Sequence, residues 1–236
     1  MSEPSNKNSI VIISDIPIFN PKKVQSYQKI SLDYTIYLNT LLISNWVEIF
    51  SEVIDRINVV TLLNSADREF HSKYLLPEEF NTAYYESGQL LNIGEKFIHT
   101  KINSNSNNLL IFCNSIGLTQ EDIFRFFSLL QSDEPSVVIG KSVQNKITFI
   151  CTSGNYPELI DALFKAKRNF EDYLKLISHR DILIHTLDKI LSINDLQDIK
   201  KLYIELSKKE SLSYCSQKMH ESFNDLFIEY KELLNV

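Results

Sequence analysis

Two polar residues stand directly beyond apolar, strand-like runs, and their placement is what could do chemistry. Asn114 follows Leu109-Leu110-Ile111-Phe112-Cys113 and leads into Ser115-Ile116-Gly117-Leu118-Thr119 before a helical stretch. Asp15 follows Ile10-Val11-Ile12-Ile13-Ser14. Parallel α/β sheets hold ligands beyond the carboxyl ends of their strands, so residues placed there face the ligand. Asp15 is the carboxylate best placed to act as an acid, a base or a ligand contact. Asn114 offers an amide that orients partners but does not ionise. These two are the candidates for a catalytic role. Lys22-Lys23, after the loop from Pro17 to Pro21, is either a phosphate contact or a solvated pair.

Other reactive residue types have plainer explanations. Cys113 beside Asn114 has no recognisable base partner, and a nucleophilic thiol needs one. Cys113, Cys151 and Cys215 are far apart and odd in number, which points to buried reduced thiols. Five histidines, His71, His99, His179, His185 and His220, show no helical metal-ligand spacing, so no zinc site is expected. Glu95, Glu121 and Asp122 open helical stretches, where acids are favoured by the helix dipole alone.

The elements that must position these residues alternate between strand and helix. Ile10–Ile13, Asn58–Leu63, a shorter run at Phe80–Tyr85, Leu109–Cys113, Val137–Gly140, Ile147–Cys151 and Asp181–Thr186 read as strands. Helical spacing covers Leu32–Ile54, Ile93–Ile102, Gln120–Leu130, Glu158–Lys167, Phe170–Leu176, Asp195–Lys208 and Tyr214–Leu234. Thr119 with Asp122 three residues on is an N-cap for the helix at Gln120. This alternation predicts an α/β fold with a mostly parallel, mixed sheet covered by helices on both faces. The division expected is a disordered stretch over residues 1–8, an α/β domain over 9–209, and a C-terminal amphipathic helix over 210–236. In that last helix Leu212, Cys215, Met219, Phe223, Leu226, Phe227, Tyr230, Leu233 and Leu234 form an apolar stripe. The stripe packs on its own sheet domain, pairs with a second copy in a homodimer, or closes over the cleft.

Bulk properties narrow the function. The 236 residues are 44% hydrophobic and 23% charged, ordinary for a globular chain, with a formal charge of −6. An acidic balance argues against nucleic acid as a partner, which calls for a basic face. No run of about 18 apolar residues exists to span a membrane, and Met1–Asn8 lacks a signal-peptide layout. A cytoplasmic location is expected. Five glycines are few for an enzyme whose backbone approaches phosphate.

Laid in order, residues 9–202 resemble a bacterial glycosyltransferase-A-like family, long catalogued as a domain of unknown function and related to nucleotide-diphospho-sugar transferases. That family's opening strand leads to a Pro-x-x-Gly turn and a Lys-Thr-Arg-Leu segment, matched here by Pro17-Ile18-Phe19-Asn20 and Lys23-Val24-Gln25-Ser26. Its Gly-Asp-Leu-Gly-Glu-Arg box is similar to Leu91-Asn92-Ile93-Gly94-Glu95-Lys96. Its Gly-Ser-Asp-x-Pro-x-Leu-Thr segment is similar to Phe112–Thr119, and its Gly-Pro-x-x-Asp-Gly-Gly-Tyr turn to Gly140–Ile147. Its closing Asp-x-Asp-Thr-x-x-Asp-Leu is similar to Ser192-Ile193-Asn194-Asp195-Leu196-Gln197-Asp198-Ile199.

The resemblance implies transfer of a sugar from a nucleotide diphospho-sugar, with a nucleotide or nucleotide sugar contacting Pro17, Lys23, Gln25, Asn92, Asn114, Gln144 and Asn194. The departures are chemically consistent. Asn92, Asn114, Gln144, Ser192 and Asn194 stand where the family has carboxylates for Mg²⁺ or Mn²⁺, hard cations that favour anionic oxygen. Gln25 replaces an arginine that would grip phosphate. No metal or other cofactor is therefore expected, and transfer activity is expected to be weak, metal-independent or lost. The alternative is a non-catalytic binding or protein-interaction module on the same scaffold.

Overall fold

The computed structural model describes residues 8–27, 29–71, 75–86, 107–131, 134–153, 156–188 and 190–234. The expected helix at Ile93–Ile102, the box around Asn92 and the stretch 1–7 lie outside them.

Among the described residues, nine strands fall into two sheets. The large one contains β1 (Asn8–Ile13), β2 (Asn58–Asn64), β3 (Asn81–Tyr85), β4 (Asn107–Phe112), β6 (Ser136–Lys141), β7 (Ile147–Ser153) and β8 (Leu183–Leu187), in the order β3-β2-β1-β4-β7-β6-β8. Every neighbouring pair is parallel except the two that involve β7. The apolar runs of β1, β2 and β4 are buried along almost their whole length, as strands covered on both faces require. A two-stranded antiparallel sheet joins β5 (Ser115–Ile116) to β9 (Leu191–Ser192).

Alternate strand residues feed two apolar layers. On one face Ile10, Ile12, Leu109 and Ile111 meet Ile43, Trp46 and Phe50 of α1 (Leu32–Ser51) and Ile123, Phe126 and Phe127 of α2 (Gln120–Leu129). The Thr119 cap forms as expected: its hydroxyl accepts from Asp122 N–H, and the Asp122 carboxylate accepts from Thr119 N–H. On the opposite face Val11, Ile13, Leu110 and Phe112 meet Leu159 and Leu163 of α3 (Pro157–Lys165) and Tyr173 of α4 (Phe170–Ile177). At the β6 bulge Gly140 leaves room for Phe149: a Cβ there would lie 2.1 Å from its ring.

A third apolar cluster lies on the outer side of α1. Leu38, Leu41 and Leu42 pack with Ile199 and Leu202 of α5 (Leu196–Leu206) and with Met219, Phe223, Leu226 and Phe227 of α6 (Gln217–Glu229). A last turn, α7 (Lys231–Leu234), buries Leu234 in the same cluster. The C-terminal stripe is thus consumed within the chain, and pairing through it in a homodimer has no support. The stripe also begins later than its spacing suggests, because Leu212 falls in a 3-10 turn and is exposed.

Candidate functional site

The chain leaves β1 toward β2 on one side, while β4 pairs on the other, so the strand order reverses between β1 and β4. At such a switch the loops part beyond the strand ends and open a crevice. Here it is a cleft of about 330 Å³ bordered by Asp15, Gln25, Asn114, Lys146, Arg168 and Asn194.

Each border residue is held by a local cause. Asn114 follows β4, where its carbonyl accepts from Ile193 N–H at 2.8 Å and its Nδ2 donates to Ile193 O at 3.1 Å. With the β5–β9 pairing, this clamps the loop Ser192–Asn194 onto the end of β4. Asn194 Nδ2 donates to Ser192 Oγ at 3.0 Å, and Asn114 Nδ2 reaches Ser192 Oγ and Asn194 Oδ1, both at 3.4 Å. Gln144 joins the network at one remove: its Nε2 lies 3.3 Å from both carboxylate oxygens of Asp198. Asp198 also accepts from Asn194 N–H at 3.1 Å and pairs with Lys201 Nζ at 2.9 Å.

Asp15 pairs with Arg168, a residue the sequence did not single out. Arg168 Nη1 donates to Asp15 Oδ2 at 2.8 Å, Nη2 to Asn114 Oδ1 at 3.3 Å, and Nε to Ile147 O at 3.0 Å. Its guanidinium carbon lies 3.7 Å from the centre of the Phe112 ring, a stacked cation–π contact. Only 7% of Arg168 is exposed. The turn after α3 delivers it, with Lys167 and Arg168 both left-handed (φ 49° and 65°). Two such non-glycine residues in succession cost about 1–2 kcal/mol each. The turn holds because Ile147 N–H donates to Arg168 O at 2.7 Å while Ile147 O accepts from its side chain.

Asp67, also unmarked in the sequence, braces the opposite wall. Fully buried in the 3-10 turn after β2, its carboxylate accepts from the N–H groups of Ile18, Phe19 and Asn20, each at 2.9 Å. The loop that carries Pro17 is thereby fixed. Of the residues expected to contact a ligand, Asp15, Gln25, Asn114 and Asn194 border the cleft and Gln144 stands beside it. Pro17 and Lys23 lie on the neighbouring loop, outside the lining, with Lys23 exposed. Asn92 lies outside the described residues. Cys113 lines the floor, and burial together with the Asp15 charge pushes its thiol up to about 12, so it stays protonated. Burial likewise raises the Tyr27 hydroxyl well above its usual range.

No protein-family profile matches the chain, and no curated protein sequence matches it. Solved structures do. A protein of Desulfovibrio desulfuricans G20, provisionally named a nucleotide-diphospho-sugar transferase, superposes with a TM-score of 0.70 at 12% identity over 97% of each chain. The fold is that of the nucleotide-diphospho-sugar transferases. The 4-diphosphocytidyl-2C-methyl-D-erythritol synthase of Anaerococcus prevotii DSM 20548 superposes with a TM-score of 0.54 at 12% identity, covering 86% of this chain and 100% of that one.

Among the described residues, the oxygen donors gathered at the cleft are either neutral or already engaged. Asn114, Ser192 and Asn194 converge but are neutral, and the Asn114 and Asn194 amide oxygens already accept from Arg168 and Lys146 respectively, each at 3.3 Å. Asp15 and Asp198 are each engaged by a cation of the protein. Asp195 uses one carboxylate oxygen to cap α5. Among the described residues no three His, Cys, Asp or Glu side chains group as metal ligands. No helix among the described residues is long and apolar enough to cross a membrane.

Proposed function

We propose that the cleft at the β1–β4 switch binds a nucleotide or a nucleotide diphospho-sugar without a divalent metal or other cofactor. On this reading the chain descends from nucleotide-diphospho-sugar transferases and its transfer activity is weak or lost. One observation carries the reading: Asp15, Asn114 and Asn194 border a single cleft beyond the carboxyl ends of β1 and β4, where open α/β sheets take their ligands. The pairing of Asp15 with Arg168 supports the loss of activity, because it engages the carboxylate best placed to act on a substrate.

A thermal-shift screen of nucleotides and nucleotide sugars, with and without Mn²⁺, tests the binding. A ligand at 100 times its dissociation constant stabilises the folded chain by about 2.7 kcal/mol, a rise of several degrees for a chain of this length. Incubation of the binding nucleotide sugar with the protein should release little or no nucleoside diphosphate. A second reading, a non-catalytic protein-interaction module, is favoured by β8, an edge strand on which Leu183 and Ile184 are exposed. A screen with no shift for any nucleotide or nucleotide sugar would overturn the first reading in favour of the second.

A further inference from the structure

We propose that Lys146 and Arg168 replace a divalent metal as tethered cations and take the diphosphate of a ligand directly. The proposal rests on reading the cleft as a nucleotide site and names what that site recognises.

Three of the five positions that the resemblance aligns with metal-binding carboxylates, Asn114, Ser192 and Asn194, do converge, within 3.0–3.4 Å of one another. Losing their charge without compensation would leave nothing to attract a diphosphate. The compensation arrives from two other elements. Lys146 Nζ approaches Asn194 Oδ1 from the β6–β7 turn, and Arg168 Nη2 approaches Asn114 Oδ1 from the turn after α3. These turns are joined to each other: Lys146 bridges Asn169, and Phe170 N–H donates to Asn145 O at 2.9 Å. The two cations are therefore positioned as a unit against the two amides.

Carboxylates at the cleft limit the charge available. Asp15 neutralises much of Arg168, and Asp198 is matched by Lys201. Asp195 caps α5 on the far border. Lys146 is thus the cation whose charge is least committed, since its hydrogen bond goes to a neutral amide. Arg168 adds geometry. Its Nε, Nη1 and Nη2 each give one hydrogen to a protein acceptor, leaving two of five N–H groups. An arginine held this way by strained backbone, an aromatic ring and two chain segments is built for position. Such strain persists only where the surroundings over-determine it.

Isothermal titration of the full chain with inorganic pyrophosphate and with ADP, GDP, CDP and UDP, in EDTA and in Mn²⁺, tests this. Binding of at least one probe in EDTA is expected, no tighter in Mn²⁺. Lys146→Met should weaken it about tenfold or more, the loss of one charge-assisted hydrogen bond. Lys146 is exposed, so this variant should fold as the parent does. Asn194→Asp should also weaken binding in EDTA, by pairing with Lys146, whereas a metal site would be improved by the same change. Binding that appears only with Mn²⁺, or an unchanged affinity in Lys146→Met, overturns the tethered cations and leaves the nucleotide site standing. If none of the five probes binds in either condition, both readings fall.

Discussion

Asp67 offers the sharpest check on how the cleft is built. Its carboxylate is fully buried and accepts three backbone N–H groups from Ile18–Asn20, all at 2.9 Å. Asp67→Ala would leave those donors without their acceptor. Hydrogen bonds to a charged group contribute about 1.5–3 kcal/mol each, so a simple sum is about 4.5–9 kcal/mol. Water entering the space and relaxation of the loop offset part of this, because three bonds to one group do not add independently. A loss of about 3–5 kcal/mol is expected, against a typical net stability of about 5–15 kcal/mol. Asp67→Asn should cost less. An amide oxygen at the Oδ1 position would still serve Phe19 and Asn20, while its NH₂ would face the N–H of Ile18. Urea denaturation followed by circular dichroism measures both. An Asp67→Ala protein within about 1 kcal/mol of the parent would refute the bracing argument, as would equal losses in the two variants.

Three further outcomes follow from the packing. Phe223→Ala should destabilise by about 3–5 kcal/mol, the usual cost of removing a fully buried ring, while sedimentation leaves the oligomeric state unchanged; a shift to smaller species would reinstate a subunit interface at α6. Gly140→Ala should destabilise measurably in the same denaturation assay, because its methyl would meet the Phe149 ring at 2.1 Å; a neutral result would show that the bulge yields. None of Cys113, Cys151 and Cys215 should react with a thiol reagent at pH 8 until the chain is unfolded, since all are buried and burial raises each thiol; fast labelling of Cys113 would mean that the cleft floor is open.

The elements that carry buried strands were legible because a strand covered on both faces must be apolar throughout. The runs at Ile10, Val59 and Leu109 admit little else. Asn114 and Asp15 were legible for the same reason, since Asn114 ends such a run and Asp15 stands one residue past the end of another. The cations were not. Lys167-Arg168 lies between two helical stretches and reads as a solvated basic step. Its burial depends on left-handed backbone that no local residue type announces, glycine being absent there. Asp67 escaped because its partners lie 47–49 residues earlier in the chain. The apolar stripe at Met219–Tyr230 was visible, but not what it covers. Spacing shows that a helix has an apolar face, and only the fold shows that α1 offers a second face to receive it.

The reversal of β7 has a consequence for how this cleft can change. In a wholly parallel sheet the edge beyond the strand ends is reached by crossover connections that also carry the packed helices. Running against its neighbours, β7 brings a tight hairpin tip to that edge instead. Val143, at 84% exposure, and the exposed Gln144 and Lys146 have little duty in the core. Arg168, stacked on Phe112 beneath them, is fixed by the packing of both sheet and turn. One cation of the pair is therefore an exchangeable surface residue and the other is part of the frame. If the proposed site holds, its ligand preference can drift, or be redesigned, through a few positions of the hairpin while the rest of the chain stays as it is.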